Sequence, residues 1–253
     1  MEYNLNNPIA ERPTKTVYKD GDKTIKLFVE NYLESNILNE ALNQARVKEA
    51  TDLNIPKLIE VGKIGNRWAL VFEHVEGTPL NKLMEEHPEK LDEYLNMFVD
   101  IQLNVLSHTV PLLNRIKDKF RRKLTATSCI DENTKFDLLQ RLEGMEEQTK
   151  LCHGDFNPSN IIIRDDGSAY IIDWAHVTKG SGAADAARTF LLFSMDGKDE
   201  LARKYIKLFA EKSKIAVKDV QRWLPIVAAT QMTKEKAEEQ EFLSKWINVV
   251  EYQ

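Results

Sequence analysis

Asp155, Asn160 and Asp173 are three oxygen-bearing side chains whose types and spacing suit the transfer of a phosphoryl group. They lie in Leu151-Cys152-His153-Gly154-Asp155-Phe156-Asn157-Pro158-Ser159-Asn160 and in Ile171-Ile172-Asp173-Trp174. Phosphoryl transfer asks little covalent chemistry of a protein; it needs a nucleophile aimed in line and a metal ion that neutralises the phosphates. Asp155 is the candidate catalytic residue, a carboxylate able to aim a hydroxyl and accept its proton. Asn160 follows five positions later, and its amide oxygen is a hard ligand suited to Mg²⁺. Asp173 would supply the charged metal oxygen. His153 reads as a packing or hydrogen-bonding residue of the loop, without a proton-transfer role.

Taken singly, these residues are ordinary turn formers and caps. Their order, and the segment between them, favour a site. Ile161 to Arg164 and Ala169 to Ile172 are apolar and rich in β-branched residues, with Asp165-Asp166-Gly167 between them, which predicts a hairpin that returns Asp173 beside Asn160.

The same logic predicts a nucleotide clamp near the N-terminus. Thr16 to Lys19, Asp20-Gly21 and Asp22 to Phe28 read as strand, tight turn and strand. Alternation puts Ile25 and Leu27 on one face and Lys26 on the other with Thr24 and Phe28, so Lys26 can reach over a cleft toward phosphate oxygens. Asn31 to Glu49 has helical periodicity, with Leu33, Ile37, Ala41 and Leu42 along one face. Glu40 beside that stripe is a candidate partner for Lys26; Glu34 is an alternative, and Glu30 precedes the periodic segment. Ala10 to Thr16, where a phosphate-covering loop belongs, holds none of the glycines of a G-x-G-x-x-G loop, so the cradle would have to use backbone N–H groups, the Thr14 or Thr16 hydroxyl and the Lys15 ammonium. Ile55 to Val61 and Arg67 to Val75 read as two more strands, and Thr78-Pro79 as a helix cap followed by a first-turn proline.

The order H-G-D-x-x-x-x-N followed by I-I-D-W resembles the aminoglycoside phosphotransferase and choline kinase family, relatives of the protein kinases that act on small molecules. The resemblance implies a two-lobed α+β, protein-kinase-like fold. A small antiparallel N-lobe sheet with one helix (1–76) would bind nucleotide, and a larger, mainly helical C-lobe carrying the catalytic hairpin (77–253) would bind substrate. It also implies ATP or GTP as donor, Mg²⁺ as cofactor, Lys26 paired with Glu40 through the match of Asn39-Glu40-Ala41, and Glu73 to Val75 as the hinge that contacts adenine. Protein kinases carry arginine where Gly154 stands and Phe-Gly after the metal aspartate where Trp174 stands. Only eleven residues lie between Asp173 and Asp185, too few for a peptide-docking activation segment. Asp185, in Gly180-Ser181-Gly182-Ala183-Ala184-Asp185, would brace the catalytic loop or cap a helix.

The resulting expectation is ATP- and Mg²⁺-dependent phosphorylation of a hydroxyl on a small acceptor whose identity the sequence does not specify. The alternative is a catalytically weak nucleotide-binding regulator on the same fold, suggested by the glycine-poor loop, and a third is transfer of AMP to a protein. Family members bind cationic acceptors with carboxylates, a part open here to Glu238, Glu239 or Glu241, although Glu235 to Glu241 also reads as a solvated helix face.

Composition bounds the rest. The 253 residues are 42% hydrophobic and 30% charged, enough for a large core in one unit or two lobes. A net charge of −5 without a strong basic run gives no electrostatic case for nucleic acid. Cys129 and Cys152 lack metal or redox spacing and fit a reducing, cytoplasmic compartment. Met1 to Ala10 has no signal-peptide core, and no apolar run approaches membrane-spanning length. Leu91 to Leu106 and the segment around Leu201, Tyr205, Leu208 and Phe209 are expected as core helices of the C-lobe.

Overall fold

The computed structural model describes residues 3–234 and 236–247, and the chain divides into two compact units, residues 1–89 with 158–176 and residues 90–157 with 177–253. The first unit is built on a five-stranded antiparallel sheet of β1 (Pro8–Arg12), β2 (Lys15–Asp20), β3 (Lys23–Phe28), β4 (Leu58–Ile64) and β5 (Arg67–Glu73), in the order β1-β2-β3-β5-β4. Gly21 at φ 57° and Gly65 at φ 59° close the tight turns before β3 and β5, a backbone region open to glycine at little cost. Alternation along the central strands makes two cores. Ile25, Leu27, Ala69 and Val71 pack on one face, while Phe28, Leu70 and Phe72 pack on the other with Ile37 and Ala41 of α1 (Glu34–Ala50).

α1 departs from the stripe expected of it. Its buried residues are Ile37, Glu40, Ala41, Asn43, Gln44 and Val47, whereas Leu33 and Leu42 are 64% and 48% exposed. Leu33 precedes the first helical residue, and Leu42 is rotated about 100° from Ala41, which takes it off the packed face. The Thr78-Pro79 expectation is also corrected. Thr78 does not cap; β6 (Thr78–Pro79) pairs with Ile162 and Ile163, and α2 (Leu80–Glu86) starts after Pro79 with no side-chain cap. A two-residue edge strand tolerates the missing proline N–H.

The hairpin forms as β8 (Ile161–Ile163) against β9 (Ala169–Ile171), with Ile161 opposite Ile171. Its turn is closed by Gly167 at φ 81°, whose N–H donates to the Arg164 carbonyl. The Ile172 N–H donates to the Asn160 carbonyl at 2.9 Å, which returns the chain to Asp173 beside Asn160.

The second unit holds β7 (Lys150–Cys152) paired with β10 (Thr178–Gly180), and the helices α3 (Leu91–Ser107), α4 (Ile116–Ala126), α5 (Glu132–Glu143), α6 (Gly182–Met195), α7 (Asp199–Ser213), α8 (Val217–Gln221), α9 (Leu224–Met232) and α10 (Ala237–Ile247). Every residue of α9 is buried, which makes it the central helix of the unit. Phe98 of α3 meets Phe156 and Tyr205 at ring-centroid distances of 4.9 and 5.8 Å. That aromatic packing ties the loop after β7 to α3 and α7. Gly180 lets α4 begin close to β10, since a Cβ there would lie 2.2 Å from Ile116 Cγ2. Of the acidic C-terminal run, 237–241 are helical and Glu235 lies outside the described residues. No helix among the described residues is long and apolar enough to cross a membrane.

Candidate active site

The first unit contains a cavity of about 350 Å³ lined by Lys15, Lys26, Glu73, Val75, Asn160 and Asp173 among others. Lys26 projects into it because its strand neighbours Ile25 and Leu27 take the opposite face. Its ammonium donates to Glu40 Oε1 at 2.7 Å and to Asp173 Oδ1 at 3.0 Å. Glu34, by contrast, lies exposed in the first turn of α1. Burial disfavours the charge on Lys26, but the carboxylates of Asp173 and Glu40 outweigh it and hold the amine above the ordinary lysine range.

Asp173 sits at φ 63°, in the left-handed region that aspartate enters more readily than most residues. This turns its carboxylate off the line of β9. Burial opposes its charge too, yet Lys26 and then Lys15 hold the carboxyl well below the usual carboxylate range. Lys15 Nζ lies 3.1 Å from Asp173 Oδ2. Asn160 and Asp173 thus line one cavity, and an amide with a carboxylate is a hard donor set that fits Mg²⁺, which binds through one or two protein oxygens plus phosphates and water. No group of three or more His, Cys, Asp or Glu among the described residues could cage a metal.

Glu73 and Val75 line the same cavity at the exit of β5. The N–H groups of Glu73 and His74 donate to the carbonyls of Lys57 and Asp22 at 2.9 and 2.7 Å. The glycine-poor segment is a strand hairpin, β1 turning into β2 through Pro13-Thr14 with Arg12 opposite Lys15. Arg12 and Lys15 line the cavity; Thr14 and Thr16 are not among its lining residues. The segment therefore offers the cavity two cationic side chains, the expected Lys15 and also Arg12, in place of the threonine hydroxyls. Arg12 was missed in the sequence, where its signal was the symmetric placement of two cations about a Pro-Thr turn.

Asp155 belongs to the second unit. Its Oδ1 accepts from Arg188 Nη2 of α6 at 3.0 Å, and Arg188 Nη1 donates to Gln231 Oε1 of α9 at 2.8 Å. The loop that carries it is fixed by Asp185, 1% exposed, whose Oδ1 accepts the Gly154 N–H at 2.7 Å and whose Oδ2 accepts from Gln102 at 3.1 Å. Gly154 is at φ 78°, so a side chain there would be strained. Burial raises the Asp185 carboxyl, with the Gly154 hydrogen bond opposing. The cap of α6 is Ser181, whose Oγ accepts the Ala183 N–H, so Asp185 braces the loop and does not cap. Among the acidic candidates, Glu239 is held by Gln231 at 2.5 Å and Lys236 at 2.6 Å, and Glu238 and Glu241 are exposed.

Residues 34–217 match the model described as the phosphotransferase enzyme family. Solved structures similar in fold include a thermostable mutant of the aminoglycoside phosphotransferase APH(4)-Ia in ternary complex with ADP and hygromycin B. That pair has a TM-score of 0.69 at 11% identity, over 97% of this chain and 94% of that one. An aminoglycoside-3′-phosphotransferase of type VIII gives 0.62 at 18% identity, over 92% and 93%. LicA in complex with AMP gives 0.62 at 15% identity, over 95% and 90%. No curated protein matches the sequence.

Proposed function

The chain belongs to the phosphotransferase enzyme family, and from that premise we propose that it moves the γ-phosphoryl group of ATP, or of GTP, to a hydroxyl of a small molecule. One observation carries the reading: a buried lysine shared between a helix glutamate and the aspartate at the end of the hairpin, at 2.7 and 3.0 Å, in a cavity of nucleotide size.

In this reading the purine edge meets the backbone of Glu73 to Val75. Because the Glu73 and His74 N–H groups already have carbonyl partners, the Val75 N–H is the donor offered. Glu40 fixes Lys26, which with Lys15 and Arg12 draws the triphosphate into the cavity. Asn160 and Asp173 would hold Mg²⁺, which when bound neutralises phosphate charge. Asp155, oriented by Arg188, aims the acceptor hydroxyl; as its oxygen bonds to the γ-phosphorus and the bond to the β-phosphate oxygen breaks, the hydroxyl proton passes to Asp155. The proposed division of labour gives residues 1–76 the nucleotide and residues 77–253 the catalytic loop and the acceptor, although the hairpin packs as part of the first compact unit.

The test is mass spectrometry of small molecules and protein after incubation with ATP and Mg²⁺. A gain of one phosphoryl group on a small acceptor is the result expected. AMP attached to protein, or nucleotide binding with no transfer to any acceptor, would replace this reading with one of its two rivals.

A further inference from the structure

Three cations, Arg188, Lys119 and Lys234, lie within electrostatic reach of Asp155, and a fourth, Lys123, lies within reach of Arg188 and Lys119. Arg188 touches Asp155 directly. Lys119 and Lys123 lie one turn apart on α4, and Lys234 follows the end of α9. Because α9 packs against both α4 and α6, residues far apart in sequence come to one place. The Arg188–Gln231 hydrogen bond at 2.8 Å fixes the corner from which Lys234 follows. The carboxylates of this neighbourhood are Asp155, the buried Asp185 behind it, and Glu239; Asp185 is engaged by Gly154 and Gln102, and Glu239 by Lys236 and Gln231. Positive charge is in excess.

The crowding is felt by the lysines themselves. Burial first, then the charges of Lys123 and Arg188, push half-buried Lys119 down to about 7, with Asp155 opposing. Partial desolvation and then Arg188 bring the more exposed Lys234 to about 8, and the same two causes lower Lys123. Like charges gathered at such a cost are relieved by an anion. Orienting Asp155 needs only Arg188, which leaves the three lysines unexplained by that role.

We propose that the acceptor is itself anionic, a small hydroxylated carboxylate or phosphomonoester whose charge is held by Lys119, Lys123 and Lys234 while its hydroxyl faces Asp155. This rests on the reading of Asp155 as the catalytic base. It reverses the sign implied by the family resemblance, since an ammonium acceptor would add a fifth cation to the group.

Two measurements on the full chain test it. In the first, ATP and Mg²⁺ are incubated with glycerate and glycerol 3-phosphate, with glycerol, and with ethanolamine and glucosamine, and products are read by mass. Transfer to an anionic acceptor should exceed transfer to the neutral and cationic ones by about tenfold or more, the worth of one charge-assisted hydrogen bond. In the second, inorganic phosphate and glycerate are titrated by calorimetry with AMP-PNP saturating the nucleotide cavity. Replacing Lys119, Lys123 and Lys234 together by Gln should weaken binding about tenfold or more, while replacing all three by Arg should retain it. Melting curves establish that each variant is folded, and Lys123→Gln alone takes the place of a triple variant that is not. Preferred transfer to a cationic acceptor overturns the anion site but leaves the phosphotransferase reading intact. So does phosphate and glycerate binding that is undetectable in the wild type, is unchanged by the Gln replacements, or is lost in the Arg variant. Lysine-dependent anion binding with AMP found on protein keeps the anion site and overturns the phosphotransferase reading.

Discussion

Lys26 answers to two carboxylates, and Glu40, its nearer partner, is only 5% exposed. Lys26→Met leaves that glutamate buried without its cation, which should cost about 3–5 kcal/mol and lower the melting temperature, along with the loss of turnover. Lys26→Met combined with Glu40→Leu should regain most of the stability and none of the turnover. If the double variant melts no higher than the single one, charge burial is not what holds this node together. Asp155→Asn keeps an oxygen for Arg188 but no base, so turnover should fall on the order of 10²-fold or more with AMP-PNP affinity nearly unchanged. Wild-type turnover in that variant would remove Asp155 from its role. The Lys26–Glu40 pairing was legible because strand alternation fixes the side of the lysine and helical rotation puts Glu40 beside Ala41. Arg188 was not legible, because nothing local links it to Asp155, 33 residues away.

Gly77 shows how an element can be placed by what a residue lacks. It sits at φ 149° where β6 meets the hairpin, and a Cβ there would lie 2.4 Å from the Ile163 carbonyl oxygen. Backbone cannot yield to it, so Gly77→Ala should cost about 1–3 kcal/mol in urea unfolding. An unchanged midpoint would mean the hairpin shifts freely. α4 carries a pH-dependent cost. Burial, and then Lys123 of its own helix and Arg188 of α6, hold Lys119 down to about 7 in the fold against an ordinary 10.5, with Asp155 opposing and Lys234 beyond α9 adding to the shift. Between those values the unfolded chain binds the extra proton, so this residue makes stability rise with pH across the window and burdens the fold most at and below pH 7. Lys119→Met should therefore raise the melting temperature at pH 6, with the gain shrinking toward pH 10; a pH-independent difference would contradict the charge argument. Of the strands, β1 escaped the sequence because Pro-Ile-Ala-Glu-Arg has too little alternation, and it forms as an edge strand paired only to β2. The helix stripe erred at Leu33 and Leu42 for a related reason, since periodicity marks apolar residues and α1 buries Glu40 and Gln44 instead.

For the molecule as a whole, a nucleotide that binds only the folded cavity should stabilise it by about 2.7 kcal/mol at a hundred times its dissociation constant. AMP-PNP with Mg²⁺ should raise the melting temperature of the wild type and fail to do so in Lys26→Met; equal shifts would place the nucleotide elsewhere. The chemistry proposed for one loop and one hairpin is suggested by spacing together with the family resemblance, since Asp155, Asn160 and Asp173 lie within nineteen consecutive residues. The cationic group around Asp155 is not, because Lys119, Lys123, Arg188 and Lys234 meet only after α4, α6 and α9 have packed. The first compact unit is also discontinuous, interrupted by residues 90–157 and completed by 158–176. On the ribosome, its sheet emerges well before the segment bearing Asp173, so Lys26 and Glu40 must wait for their third partner while a long stretch of chain is still being made. Closing so long a loop is slow, and a nascent chain stalled before residue 176 should remain open to protease and chaperone.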